Sequence, residues 1–382
     1  LEKRPMRFLR KNKIDKCILV ISDIHLGAGV MVNGKRNYLE DFHFDKELVD
    51  FLDYYSSDDY LSREVELIIN GDLFDLLAVP FVNYFDDEFW SEKAALSKLE
   101  MIIDAHSEVL EALNRFVSHK NKKLEYIIGN HDAEFVFDSL RDRFYDLFEE
   151  KNRERVKIQL NTNGEYIPTP GVVLKHGHEY ELAHHFHPTK SIVESEEGEK
   201  YFLPPWGSYY VTRVINKFKE ERDHVNAVRP IRKFIINGLI YDTFFTLRFL
   251  FATSYYFIMV RSIYLFKQER SFKKMYKHCM NELELFKDYE TMTMDFFKER
   301  PEVQCLIVGH THDPSFRSFS DGGIFINTGT WTKMYNLDFG KNASGEQLSF
   351  AQVDIIDAKK EEYEINLNIW KGRTNLPFEE FS

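Results

Sequence analysis

The sequence predicts an α/β chain interrupted by a large helical insertion. Three observations carry this. Short apolar runs rich in β-branched residues, at 17–21, 67–69 and 124–128, each end in a polar loop. Between them apolar residues recur three and four apart, the spacing of helices packed on a sheet. From about Glu194 to Glu299 this alternation stops, and it returns at 303–308. Of the 382 residues 43% are hydrophobic, so the chain is globular and can bury a large core in one elaborated domain or two.

Taken in order, residues 1–16 are basic and unpatterned and read as an arm. The run 17–21 reads as a buried strand that ends in Ser22-Asp23-Ile24-His25-Leu26-Gly27. Residues 44–55 have helical spacing. The run 67–69 is the next strand, and Gly71 lets the backbone turn sharply into Asn70-Gly71-Asp72-Leu73-Phe74-Asp75. From Asp86 to about His119, Leu96, Leu99, Ile103, Val109, Leu110 and Leu113 predict one long helix or two. A strand at 124–128 closes with Gly129-Asn130-His131-Asp132, and 135–150 look helical. A strand at 172–174 leads into His176-Gly177-His178. Within the insertion, Pro204-Pro205 and Pro230 are expected helix boundaries. The strand at 303–308 ends in Gly309-His310-Thr311-His312. Alternating runs at 315–319, 323–328, 348–356 and 362–370 read as antiparallel strands. The expected organisation is a core at 17–194, an insertion at 195–299 and the rest of the core at 300–382.

The net charge of −12 argues against a broad nucleic-acid-binding surface. Cys17, Cys279 and Cys305 lie far apart without a CxxC pair, which fits a reducing compartment. The first residues carry no apolar signal segment, so a cytoplasmic location is expected. From 234 to 266 large apolar and aromatic residues dominate, broken by Asp242, Arg248 and Arg261. The uncharged run 249–260 is far shorter than the roughly twenty residues of a spanning helix, so no transmembrane segment is expected.

Five strand ends carry side chains of metal-ligand type: Asp23 and His25; Asp72; Asn130 and His131; His176; His310 and His312. Such donors suit borderline divalent metals, among them manganese, iron, zinc and nickel. In an extended segment the i, i+2 spacing of Asp23 and His25, and of His310 and His312, puts each pair on one side. Asp72 has two oxygens and can bridge two ions. A lone Asp-x-His is usually a capped turn. Five such pieces, each directly after an apolar run, are not explained that way. His178 and Glu179 read as neighbours of such a site, and Asp132 as structural. His184, His185 and His187 read as a solvated or substrate-facing loop, because no carboxylate is spaced to partner them.

The ordered set Asp-x-His, Gly-Asp-x-x-Asp, Gly-Asn-His-Asp, His-Gly-His and Gly-His-x-His resembles the calcineurin-like metallophosphoesterases over about residues 17–180 and 300–330. The resemblance implies an α/β sandwich in which a two-sheet β-sandwich is flanked by helices, with two divalent metals, manganese first, at one end. It implies that Asp23, His25, Asp72 and His312 hold one metal, and that Asp72, Asn130, His176 and His310 hold the other. It also implies that a hydroxide shared by the metals attacks phosphorus, that His131 serves the leaving group, and that Asp75 holds the His131 tautomer. Asn327-Thr328-Gly329-Thr330-Trp331 matches the Gly-rich turn that often ends the site.

Within the family, Leu76 and Asp132 depart from the Ser/Thr protein phosphatase pattern, which has Arg and Glu there. The long gap between His176 and His310 departs from the double-strand-break nuclease branch. The UDP-2,3-diacylglucosamine pyrophosphatases share Asp-x-His-Leu, Gly-Asp-Leu-Phe and Gly-His-Thr-His and place a helical insertion before the last motif. His131 stands where that branch has Arg. A non-catalytic binding module, like the retromer subunit of this fold, is the alternative of another class, and the complete ligand set argues against it. The insertion is expected either to pack on itself or on a second subunit as ordinary core, or to be an apolar lid for an amphipathic, lipid-linked phosphoester. In the lid reading Lys217, Lys219, Arg222, Arg229, Arg232 and Lys233 face anionic headgroups at the inner membrane surface.

Overall fold

Strand β1 (Lys16–Ile21) is apolar at every position after Lys16 because both of its faces are covered. Ile18 and Val20 enter one buried cluster with Ile68, Ile127, Val172, Leu174, Ile307 and Ile326. Cys17, Leu19 and Ile21 enter another with Leu67, Leu99, Phe116 and Phe144. A strand buried on both sides loses the in-out alternation of a half-exposed one, which is why the sequence shows unbroken apolar runs. The structure is a computed structural model. It describes residues 16–81, 86–160, 163–181, 183–229, 231–268, 289–320, 322–337, 344–345, 348–357, 360–373 and 378–380. The basic arm before Lys16, Pro230 and Cys279 lie outside the described residues.

β1 runs parallel to β2 (Glu64–Asn70), β2 to β3 (Lys122–Ile127), and β3 to β4 (Val156–Gln159). A second sheet contains β5 (Tyr166–Thr169), β6 (Val172–Leu174), β7 (Cys305–Val308), β8 (Ser315–Ser318) and β9 (Ile324–Asn327), in the order β8-β9-β7-β6-β5. The first sheet is completed on its other side by β10 (Ser349–Asp357), β11 (Glu362–Trp370) and β12 (Phe378–Glu380). The cluster of Ile18, Ile68, Val172 and Ile307 is the seam between the sheets. On the outer face of the first sheet lie α1 (Asp45–Tyr54), α2 (Glu92–Ala105), α3 (Ser107–Ser118) and α4 (Asp138–Tyr145), which contribute Phe51, Leu99, Phe116 and Phe144 to its core. Phe297 packs on Val173, Leu306 and Phe325 at the outer face of the second sheet. The architecture is the expected α/β sandwich of two sheets flanked by helices.

The region 86–119 forms two helices. Ser91 caps α2 by accepting from the Ala94 N–H at 3.0 Å, and His106 breaks the chain before α3 with φ −120° and ψ 34°. Of the stretch 135–150 only α4 is α-helical, with 3₁₀ turns on either side. The expectation of an antiparallel strand at 323–328 is corrected: β9 is antiparallel to β8 but parallel to β7. The sequence hides such a pairing because the pattern of β9 does not say which strands lie beside it.

Between β6 and β7 the chain forms an antiparallel pair of short strands (Ile192–Glu194 and Lys200–Phe202), then α5 (Trp206–Tyr210), directly after Pro205, a π-helical turn (Val211–Ile215) and α6 (Asn216–Lys219). It continues as α7 (Ile231–Tyr241) and α8 (Thr243–Gln268), and α9 (Tyr289–Glu299) leads back to the second sheet. Among the described residues no helix is long and apolar enough to cross a membrane. Lys219 corrects one expectation. Its side chain is buried and donates to the Leu39 carbonyl at 3.1 Å and to Asp41 at 2.7 Å, so it ties α6 to the core and faces no headgroup.

Candidate metal centre

Parallel pairing sends the carboxyl ends of β1, β2 and β3 to one edge of the first sheet, and those of β6, β7 and β9 to one edge of the second. The loops that follow are stitched together. The Asp23 N–H donates to the Gly71 carbonyl at 3.1 Å and the Ile24 N–H to the Asp72 carbonyl at 3.0 Å. The Gly309 N–H donates to the His176 carbonyl at 2.8 Å, and the Asn70 amide joins the two sheets by donating to the Lys175 carbonyl at 2.8 Å. Asp23, His25, Asp72, His310 and His312 all have positive φ, between 51° and 69°. Non-glycine residues in that region are uncommon and costly, and they cluster where surrounding structure holds a functional geometry. A Cβ at Gly129 would collide with the Asp72 carboxylate and backbone, and one at Gly71 with the His176 ring. Both positions therefore require glycine for Asp72 and His176 to approach.

The donors form overlapping clusters, two of which, Asp23-His25-His312 and Asp72-His176-His310, correspond to the expected ligand sets. In the first, His25 Nε2 is 3.1 Å from His312 Nε2, and His312 Nε2 is 3.3 Å from Asp23 Oδ1. His25 Nε2 is 3.8 Å from Asp72 Oδ2. In the second, His176 Nε2 lies 3.2 Å from Asp72 Oδ2 and 3.2 Å from Asn130 Oδ1, with His310 completing the group. Asp72 thus stands between both groups. Donors bound to one cation at about 2.0–2.2 Å stand roughly 3.0–3.5 Å apart at octahedral or tetrahedral angles. Four of the five spacings fall in that range, and the His25–Asp72 separation of 3.8 Å is slightly longer. The far nitrogens fit too: His176 Nδ1 donates to the Asn70 carbonyl at 2.7 Å, and His25 Nδ1 faces Asp75 Oδ2 at 3.3 Å. Each ring then carries its proton away from the centre and leaves the Nε2 lone pair facing in. The residues present therefore suit a pair of divalent cations.

Asp75 has a second imidazole on its other oxygen. His131 Nδ1 donates to Asp75 Oδ1 at 2.8 Å, and the His25 and His131 rings meet edge to face at 4.6 Å. The His131 N–H donates to Asp72 Oδ1 at 2.8 Å. Burial opposes charge on the His131 ring, but the Asp75 and Asp72 carboxylates outweigh it and push its pKa up to about 9. Burial also works to raise Asp75, and the two imidazoles hold it far below the usual carboxylate range instead. Asp132 is pushed up to about 7 by burial and by Asp72. It organises the loops, accepting from the Gly129 N–H at 2.6 Å, the Leu73 N–H at 2.8 Å and the Tyr126 hydroxyl at 2.5 Å.

The structure brings all nine anticipated residues, Asp23, His25, Asp72, Asp75, Asn130, His131, His176, His310 and His312, to this one edge. The Gly-rich turn after β9 joins them: the Thr330 hydroxyl at 2.6 Å and the Trp331 N–H at 3.1 Å both donate to the Asp23 carbonyl. His178 is buried and stacked on Phe186, with ring centroids 5.1 Å apart, and its ring stands beside His176. One expectation is corrected. His184 does have a carboxylate partner, Glu181, with Nε2 and Oε2 3.6 Å apart, and the same oxygen is 3.2 Å from His310 Nε2. Glu181 escaped the sequence reading because nothing but its i, i+3 spacing to His184 pointed to it.

The family model for calcineurin-like phosphoesterases matches residues 18–314. No curated protein sequence matches the chain. Among solved structures, a dimetal phosphatase from Danio rerio is 14% identical, with 96% of this chain and 98% of that one covered at a TM-score of 0.36. Vacuolar protein sorting 29 from Cryptosporidium parvum is 11% identical, with 96% and 98% covered at 0.30. A conserved Streptococcus pneumoniae protein described as a predicted phosphoesterase is 10% identical, with 96% of each chain covered at 0.30. The assignment rests on the family match, which spans most of the chain and every candidate ligand up to His312: the chain belongs to the calcineurin-like phosphoesterase family, whose members are metal-dependent.

Proposed function

We propose that this chain hydrolyses a phosphate ester at a centre of two divalent cations, with Asp72 shared between them. Asp23, His25, Asp72 and His312 would hold one cation, and Asp72, Asn130, His176 and His310 the other. When bound, such a pair clamps a phosphoryl group, neutralises its charge and supplies a water-derived nucleophile near neutral pH. Manganese heads the candidates and iron, zinc or nickel follow, because His, Asn and carboxylate donors suit all four. The protein's own contribution is orientation and a proton. Asp75 accepts a hydrogen bond from His131 Nδ1–H and leaves Nε2 directed away from the carboxylate. The His131 side chain is 18% exposed, so that edge is within reach of a substrate. A protonated His131 delivers its Nε2 proton to the departing oxygen.

The single observation behind this reading is the position of Asp72, whose Oδ2 is 3.8 Å from His25 Nε2 and 3.2 Å from His176 Nε2. The test is manganese-loaded protein with paired diesters that differ only in leaving group. His131→Ala is expected to lower turnover of the poor leaving group about 10²–10⁴-fold and that of p-nitrophenolate far less, with metal content unchanged. Equal losses on both would remove the general-acid role, and no hydrolysis of any phosphoester by metal-loaded wild type would remove the enzyme.

A finer reading has one supporting observation. The insertion grips loops of the centre: the buried Asn216 amide donates to the Leu77 carbonyl at 2.8 Å, two residues past Asp75, and the Gly207 N–H donates to the Ala183 carbonyl at 2.8 Å. It also exposes Phe244, Leu247, Phe251 and Tyr255. An amphipathic, lipid-linked phosphoester of the UDP-2,3-diacylglucosamine type is therefore the substrate class to try first. Liposome co-sedimentation with and without residues 206–270, checked for retained metal, separates this from a dimer interface. A form that stays in the supernatant either way and keeps its preference between soluble and lipid-linked substrates would end the lid reading.

A further inference from the structure

Two imidazoles of the centre, His25 and His176, turn Nε2 to the donor group and give Nδ1 an acceptor. His25 has Asp75 on Nδ1 at 3.3 Å, and His176 has the Asn70 carbonyl on Nδ1 at 2.7 Å. For His310 the acceptor is Glu181, whose Oε2 is 3.2 Å from Nε2. We propose that Glu181 is a positioning residue: it accepts the Nε2 proton of His310 and thereby leaves Nδ1 as the nitrogen with a lone pair for the second cation. This rests on the two-cation reading above.

Glu181 is well seated for the task. It follows the 3₁₀ turn His178–Tyr180, its N–H donates to the His178 carbonyl at 3.0 Å, and its own carbonyl accepts from the His184 N–H at 3.0 Å and the His185 N–H at 2.9 Å. Gly207, at the start of the insertion, holds Ala183 in the same turn. The carboxylate therefore sits on a short, doubly bonded loop that leads directly from the His176 motif. An anionic acceptor raises the basicity of the imidazole it holds. Two ligands of the centre, His25 and His310, then have carboxylates behind them, and His176 has a neutral carbonyl.

Glu181, His184 and His310 are also close enough together to surround a cation of their own. That occupant is disfavoured because His310 would have to present lone pairs from both nitrogens, which requires losing its ring proton altogether. The single proton on Nε2 satisfies Glu181 and the second cation at once.

The test uses metal-stripped full-length protein titrated with manganese(II), with free ion followed by electron paramagnetic resonance, in wild type, Glu181→Ala and Glu181→Gln. Glu181→Ala is expected to weaken one of the two sites about 10–100-fold and to leave the other nearly unchanged. Glu181→Gln, whose amide oxygen still accepts the Nε2 proton, is expected to recover most of that loss. Unchanged affinity at both sites in Glu181→Ala overturns the proposal. So does equal weakening of both sites with a lowered melting temperature, which is a structural role. A third equivalent in wild type that disappears in Glu181→Ala assigns the triad to a cation and also overturns it. Wild type holding fewer than two ions overturns the two-cation reading and this inference with it, whereas two ions with an unaffected Glu181→Ala overturns this inference alone.

Discussion

In β1, β2, β3 and β7 every apolar side chain is buried, whereas α8, over residues 243–259, carries large apolar residues on two faces and buries only one. Phe245, Phe249 and Tyr256 pack against Val214, Phe218 and Val225 of the insertion. Phe244, Leu247, Phe251, Tyr255 and Ile258, three and four residues apart, lie exposed along the opposite face. The same kind of residue serves two purposes. In the strands, covered faces hold the two sheets and their helices together, and the polar loops at the carboxyl edge are fixed by loop-to-loop hydrogen bonds. In α8, the second face has no partner among the described residues beyond contacts along the helix itself, such as Phe251 stacked on Tyr255.

The comparison is tested most severely at the loops. Asp75 carries two imidazoles on two oxygens, one a candidate ligand and one the candidate acid. Asp75→Asn can serve only one of them as an acceptor. Hydrolysis of a diester with a poor leaving group is expected to fall about 10²–10⁴-fold. A loss below tenfold would mean that the carboxylate does not organise the centre.

The next effect is on stability. Ile68 sits in the seam between the sheets, and Ile68→Ala is expected to cost about 2–5 kcal/mol in denaturant unfolding. A cost under about 1 kcal/mol would show that the seam is loosely packed. A third prediction concerns pH. His106 is buried at the junction of α2 and α3, with Nδ1 at 2.6 Å from Asp45 and Nε2 at 3.6 Å from Glu40. Burial opposes its charge, but the two carboxylates win and push its pKa up to about 9. Because the folded value lies above the unfolded one of about 6.5, the stabilisation is complete below pH 6.5 and is lost as pH rises through 9. It amounts to something on the order of 3 kcal/mol. Chemical unfolding at pH 6 and pH 9.5 should show wild type losing about that much more than His106→Gln. Parallel losses would refute the linkage. Glu40 also accepts from the Gly27 N–H at 3.2 Å, so the same junction supports the loop that carries Asp23 and His25.

The smallest expected effect is on the other side of the comparison. Phe251→Ser, on the exposed face of α8, should change stability by no more than about 0.5 kcal/mol, since it removes only an exposed stacking contact with Tyr255. A destabilisation above 1 kcal/mol, measured by unfolding of the isolated monomer, would place that face against something within the chain.

The loops were legible in the sequence because their grammar is local. An apolar run, then a glycine or polar turn, then His, Asp or Asn at fixed spacing needs no knowledge of the partner strand. Asp23, His25, Asp72, Asn130, His176, His310 and His312 follow that grammar. Glu181 does not, because its role depends on which ring nitrogen of His310 faces it, and that is set by a turn between two separate motifs. Lys219 was misread for a related reason: a cation in a basic stretch looks solvated until its carboxylate partner, Asp41, is brought to it by the fold. The parallel pairing of β9 with β7 and the two-sided character of α8 were equally out of reach, since an apolar run does not say what lies on each face.

The most direct measurement is metal stoichiometry. Wild-type and Asp72→Ala proteins would be loaded with manganese, desalted and assayed for bound ion and for protein, with circular dichroism confirming that both are folded. Asp72 stands within reach of both donor groups, so the account predicts about two ions in wild type and, in Asp72→Ala, weakened retention at both sites. Two firmly held ions in folded Asp72→Ala would contradict the shared carboxylate on which the proposed centre depends.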